Sequence, residues 1–135
     1  MKTALLACIF VLFCIAAHGQ DLQQQCGNHP DLFRDGSGQP KWFSSPEVEK
    51  MATRTTTPEA VALPNGLPYS GFVSVRLMVN TAGDVVCLWD ASGHPLMIAS
   101  AIRAIHQWKF KPLTAGGRKV EFVGLLKVPV RSTGQ

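Results

Sequence analysis

The stretch GFVSVRLMVNTAGDVVCLWDASGHP, residues 71–95, decides the fold. Val73, Val75, Leu77 and Val79 alternate with Ser74, Arg76 and Asn80, the period of two expected of a strand with one buried face. Thr81-Ala82-Gly83-Asp84 reads as a hairpin connection, and Val85-Val86-Cys87-Leu88-Trp89 as the returning strand. Ser92-Gly93-His94-Pro95 interrupts the chain again, with Pro95 suited to the first turn of a helix running to about Trp108.

Downstream, Met97, Ile98, Ala101, Ile102, Ile105 and Trp108 share one arc at 100° per residue. Ser100, Arg103 and Gln107 lie opposite, so the apolar arc should rest on the hairpin. Lys109 and Lys111 suit the negative end of the helix, Pro112 stops it, and Ala115-Gly116-Gly117 turns the chain. A last strand follows, with Val120, Phe122, Gly124, Leu126, Val128 and Val130 alternating against Glu121, Val123, Leu125 and Lys127. Pro129 cannot donate to a ladder, which places this strand at a sheet edge. The expected fold is α+β, a three-stranded antiparallel sheet in the order β-β-α-β with one helix packed on one face. Such a core is thin, and the remaining chain, a disulfide or a second copy would have to complete it.

Upstream, residues 20–57 are rich in Gln, Pro, Gly, Ser and Thr and lack a long apolar period, the composition of a flexible arm. A short helix is expected at 46–52, capped by Ser45, with Pro46 in its first turn and Glu47 and Glu49 near its positive end. Residues 1–19 carry Lys2 and an apolar run of about 14 residues, short of the roughly 20 that span a bilayer. They read as a secretory signal cleaved after Gly19, with residues 58–135 forming the folded domain.

The chain has 135 residues, 46% apolar and 16% charged, with 13 basic and 9 acidic side chains. That bounds it to one modest domain and excludes a multidomain enzyme. Loss of the signal would leave a net charge of about +3, and without a Lys/Arg cluster nucleic acid is not an expected partner. Cys8 and Cys14 would leave with the signal. Cys26 and Cys87 remain, and in an oxidising periplasm such a pair reads as one disulfide. The alternative is a buried Cys87 on a strand and a free Cys26 in the arm.

No catalytic constellation emerges: there is no Gly-x-Ser-x-Gly elbow, and Asp84 and Asp90 look like turn and strand-end residues. His18, His29, His94 and His106 do not complete a metal set with Cys26 or Cys87, so neither metal nor cofactor is expected. Trp42, Phe43 and Trp89 are candidates for recognition, or for docking the arm on the domain.

The Gly-led first strand, the Gly83-Asp84 turn, Ser92-Gly93-His94-Pro95-Leu96 opening the helix, and the Trp108-Lys109-Phe110-Lys111-Pro112 exit together resemble the C-terminal domain of the TonB family over about residues 58–130. The resemblance implies a non-catalytic periplasmic domain that pairs its edge strand with an extended peptide of an outer-membrane transporter. Here that edge would be 120–130, with Glu121, Val123, Leu125 and Lys127 as the partner-binding residues. An energy transducer of the family needs a retained anchor and a long Pro/Glu/Lys-rich spacer. This chain shows a short leader, no such spacer, and Tyr69 followed by Ser70 where the family often has Tyr-Pro. A stand-alone module binding an envelope protein is therefore the expectation. The alternatives are a transducer anchored through residues 4–18 and a homodimer formed through edge strands.

Overall fold

The computed structural model describes residues 26–133; the expected signal, with Cys8, Cys14 and His18, lies outside them. The element order is β1 (Trp42–Phe43), α1 (Ser45–Met51), β2 (Ala52–Arg54), β3 (Ser70–Val79), β4 (Val85–Ser92), α2 (Pro95–His106), β5 (Lys109–Phe110), β6 (Leu113–Ala115), β7 (Arg118–Val120) and β8 (Phe122–Arg131).

The main hairpin forms where its alternation predicts. β3 and β4 pair antiparallel, and the turn between them is built by Asn80, whose Oδ1 accepts the N–H groups of Ala82 at 3.0 Å and Asp84 at 2.9 Å. Gly83 sits at φ +85°, and any side chain there would collide with the Phe110 carbonyl. Only glycine meets both demands. His94 caps α2, its Nδ1 accepting the Leu96 N–H at 3.2 Å, and Pro95 opens the helix. The helix ends at His106, two residues before the expected Trp108.

α2 lies on one face of the sheet. Met97, Ala101 and Ile105 meet Val73, Val75, Leu77 and Val79 from β3 and Phe122, Leu126 and Val128 from β8, all buried. This apolar burial is the main favourable contribution to the fold. The strap before β3 is tied to the same layer. Ser100 Oγ donates to the Glu59 carbonyl at 2.6 Å, and Trp108 Nε1 donates to the Thr56 carbonyl at 3.0 Å.

Two expectations are corrected. The sheet has four strands, in the order β1-β8-β3-β4, and it is not wholly antiparallel. The last strand is interior to it: β3 pairs with β8 from Ser70↔Arg131 to Val79↔Phe122, and β1 lies parallel on the other side. Pro129 still fits, because Glu121 and Lys127, an even number of residues away, donate their N–H groups toward the arm. The donor missing at Pro129 therefore belongs to the arm side, and the β3 ladder loses nothing.

Residues 26–57 carry β1, α1 and β2. α1 starts one residue before the expected helix and is capped by Ser44, not Ser45. The Ser44 N–H donates to Glu47 Oε2 at 2.7 Å and its hydroxyl donates to the same oxygen at 2.9 Å. Val48 is fully buried in the main core, with Phe43 and Met51 packed against that core. The arm has too few apolar residues for a core of its own and is ordered by contact with the domain's. A disulfide joins Cys26 to Cys87 across 61 residues, with the Cα atoms 5.8 Å apart, which sets aside the free-thiol alternative.

Candidate functional site

The outer side of β8 is the surface on which the four sequence-selected residues converge. Strand geometry sends the N–H and C=O groups of alternate residues to the same side. Glu121 and Lys127 fix which residues these are: the odd-numbered ones point away from β3. Glu121, Val123, Leu125 and Lys127 therefore direct their main-chain groups to one side of the strand, away from β3.

That edge carries the chain's own arm. The Glu121 N–H donates to the Asp31 carbonyl at 3.0 Å, and the Phe33 N–H donates to the Glu121 carbonyl at 2.8 Å. Trp42 is in register with Val123 and Phe43 with Gly124, both parallel. The Lys127 N–H donates to Ser45 Oγ at 3.0 Å. Beyond Pro129, the Val61 N–H donates to the Arg131 carbonyl at 3.2 Å and closes the far end. Between Ser45 and Val61 the cover opens into a cavity of about 290 Å³, walled by Lys127, Val128 and Pro129 on one side and Glu49, Thr56 and Trp108 on the other.

The four side chains have different fates. Glu121 Oε2 meets His29 Nδ1 at 2.7 Å, and His29 Nε2 meets the Cys26 carbonyl at 2.5 Å. Val123, expected to point outward, is completely buried, because Leu32 of the arm covers it together with Met78, Cys26, Cys87 and Trp89. Leu125 remains exposed. Lys127 extends its ammonium over the Phe72 ring, 4.6 Å from the centroid.

Trp42 and Phe43 themselves leave on opposite faces. The Trp42 ring packs edge-on to Trp89 at 5.9 Å, under the Arg76 guanidinium at 5.2 Å, and Asp90 holds that guanidinium from the side at 3.2 Å. Phe43 meets Phe122 at 5.7 Å and Phe33 at 6.2 Å. Sequence reasoning singled out the aromatic pair without its docking place. Asp31, Leu32 and Phe33 were missed altogether, and Ser45 was read only as a helix cap and Arg76 only as a polar strand position, since nothing local marks them as partners of this side of β8.

Other chemistry is sparse. Among the described residues no three His, Cys, Asp or Glu side chains gather as a metal site. Two carboxylates are held below the usual range: Asp35 by the Ser37 hydroxyl and N–H and the Gln39 N–H, and Glu47 by the Ser44 N–H and hydroxyl. Both are hydrogen-bond effects at turns and caps.

An antiparallel pair of long strands, a helix over one face and a regular outer edge able to hold an extended segment are thus in place. Residues 67–131 match the family model of the Gram-negative bacterial TonB protein C-terminal. The chain carries a TonB C-terminal-like domain. No curated protein and no solved structure matches the chain. The matched span contains β3, β4, α2 and β8, so the covered edge belongs to the TonB C-terminal-like domain while its cover, residues 31–45, lies outside the match. Among the described residues no helix is long and apolar enough to cross a membrane.

Proposed function

We propose that this chain is a non-catalytic periplasmic binding module that recognises an extended segment of an envelope protein by β-strand addition along the outer edge of β8. Glu121, Val123, Leu125 and Lys127 supply the main-chain groups, and the incoming segment takes the place of Trp42–Phe43. The observation that carries this reading is the parallel register of Trp42 with Val123 and Phe43 with Gly124: the edge already accepts an extended segment. Main-chain pairing supplies affinity in this mode, and alternate side-chain positions supply specificity.

Because the edge is occupied, binding is an exchange. The partner gains a ladder only as the arm gives one up, so affinity depends on the difference between the two segments. The disulfide at Cys26 and the buried Val48 of α1 fix the ends of the intervening arm, which can lift between them without releasing either.

The test uses two full-length variants, Leu125→Pro and Leu125→Ala, each also carrying Trp42→Ala so that the chain's own strand no longer competes for the same donor, presented to solubilised outer-membrane proteins. Proline removes a donor on the arm side and spares the β3 ladder. Leu125→Pro is expected to lower partner retention about tenfold relative to Leu125→Ala, roughly the loss of one main-chain bond. Equal retention by two folded variants would count against main-chain pairing.

A further inference from the structure

We propose that the partner segment repeats the chemistry of the arm strand it replaces. It runs parallel to β8, carries two adjacent aromatic side chains, and places an oxygen acceptor two residues after the second. This rests on strand addition at β8, and it specifies what that edge selects.

The arm is an imprint of the edge because each of its side chains fills a distinct feature of the TonB C-terminal-like domain. The first position faces the helix-free side of the sheet, where Trp89 offers a ring inclined at 64° to that of Trp42 and Arg76 a guanidinium held by Asp90. A flat aromatic ring satisfies both neighbours, since an inclined aromatic pair and a cation over a π face are each favourable. An aliphatic side chain would satisfy neither in that way.

The second position turns to the opposite face and meets the Phe122 ring edge-on. Gly124 makes this approach possible. A Cβ there would stand 2.5 Å from Val48 Cγ2 and 3.1 Å from the Phe43 carbonyl oxygen, so the absence of a side chain lets the added backbone come close. The third feature is the Lys127 N–H, which Ser45 Oγ accepts at 3.0 Å. A Ser, Thr, Asn or Asp oxygen at that spacing would serve. Direction follows from register: Trp42 opposes Val123 and Phe43 opposes Gly124, so reversing the segment would separate the acceptor from Lys127.

The probe is a fluorescein-labelled heptapeptide copying residues 39–45, Gln-Pro-Lys-Trp-Phe-Ser-Ser, titrated by anisotropy into the full-length chain and its Trp42→Ala variant. Trp42 is 41% exposed, so its truncation weakens the arm strand while sparing the core. The peptide is expected to bind the variant about tenfold more tightly than the unaltered chain, which keeps its own strand in place. Alanine in place of either peptide aromatic, or reversal of the peptide, should each weaken binding about tenfold. A second host, Trp42→Ala with Phe43→Ala, should bind the peptide at least as well as the single variant.

Equal binding of the alanine or reversed peptides would overturn the proposal, as would no binding of the copied peptide to either variant. Should that happen while Leu125→Pro and Leu125→Ala still differ, strand addition stands and only the aromatic specificity falls. Loss of the Leu125 contrast would remove the functional reading itself.

Discussion

The outer sides of the two long strands that flank β3 are protected in opposite ways. β8 keeps ten residues in unbroken register with β3, and its outer side is lined by Asp31–Phe33, Trp42–Phe43, Ser45 and Val61. β4 has no strand on its outer side among the described residues, but its pairing with β3 shifts register twice, once between Ser74 and Arg76 and again between Met78 and Val79. Asp90 even adopts φ +53°, outside extended geometry. Bulges and local twist make a poor template for another strand, whereas a regular edge needs a cover. The lesson is that a docking edge and an aggregation hazard are the same object, and the arm manages it at β8.

The strongest way to break this contrast is to cut the fastening of the cover. Replacing Cys26 and Cys87 together by serine frees a loop of 61 residues, for which chain entropy gives a loss of about 4 kcal/mol. The melting midpoint should fall by more than about 10 °C. Hydrogen exchange sharpens the point: the Phe33 N–H, bonded to the Glu121 carbonyl, should lose protection before the amides shared by β3 and β8. Uniform loss across both strands would mean that the arm and the sheet are one cooperative unit and that exchange at β8 requires global unfolding.

A smaller effect probes the other edge. Asp90 tolerates the left-handed region better than a β-branched residue does, and it pairs with Arg76 on the surface. Asp90→Val should cost about 1–2 kcal/mol in urea unfolding, while Asp90→Gly stays within about 0.5 kcal/mol. If valine is tolerated as well as glycine, the strand can straighten, and the bulged edge is not a fixed barrier.

The uneven legibility of the molecule follows from the range of its interactions. The strands β3, β4 and β8 and the helix α2 announce themselves because alternation and the 3.6-residue period are local, and the Asn80 to Asp84 turn needs only its own residues. Glu121, Val123, Leu125 and Lys127 could be placed together on one side of that strand for the same reason, by alternation. The cover of that edge depends on pairings such as Ser45 with Lys127 and His29 with Glu121, which no local period encodes. Leu32 looks like an isolated leucine in a polar arm until the fold places it over Val123. Pro129 shows the limit most clearly: its missing donor was read as a sheet edge, and only the fold shows that the arm lies along that side of an interior strand.

The mildest perturbation acts on the end of the cover itself. Glu47 accepts the Ser44 N–H and hydroxyl at the start of α1, immediately after the docked strand, and these bonds hold its carboxyl below the usual glutamate range, helped by Lys41 and Lys50. A carboxylate whose pKa is lowered by folding adds stability that is present above its unfolded value, about 4.3, and that fades as pH falls through the folded one. Asp35 contributes with the same sign, so acid sensitivity of the whole chain would not single out the cap. The difference between the unaltered chain and Glu47→Gln does. The variant should be slightly less stable at pH 7, and the gap should close on acidification below about pH 4. A gap independent of pH would assign the loss to side-chain packing and leave the charged cap no part in holding the arm against β8.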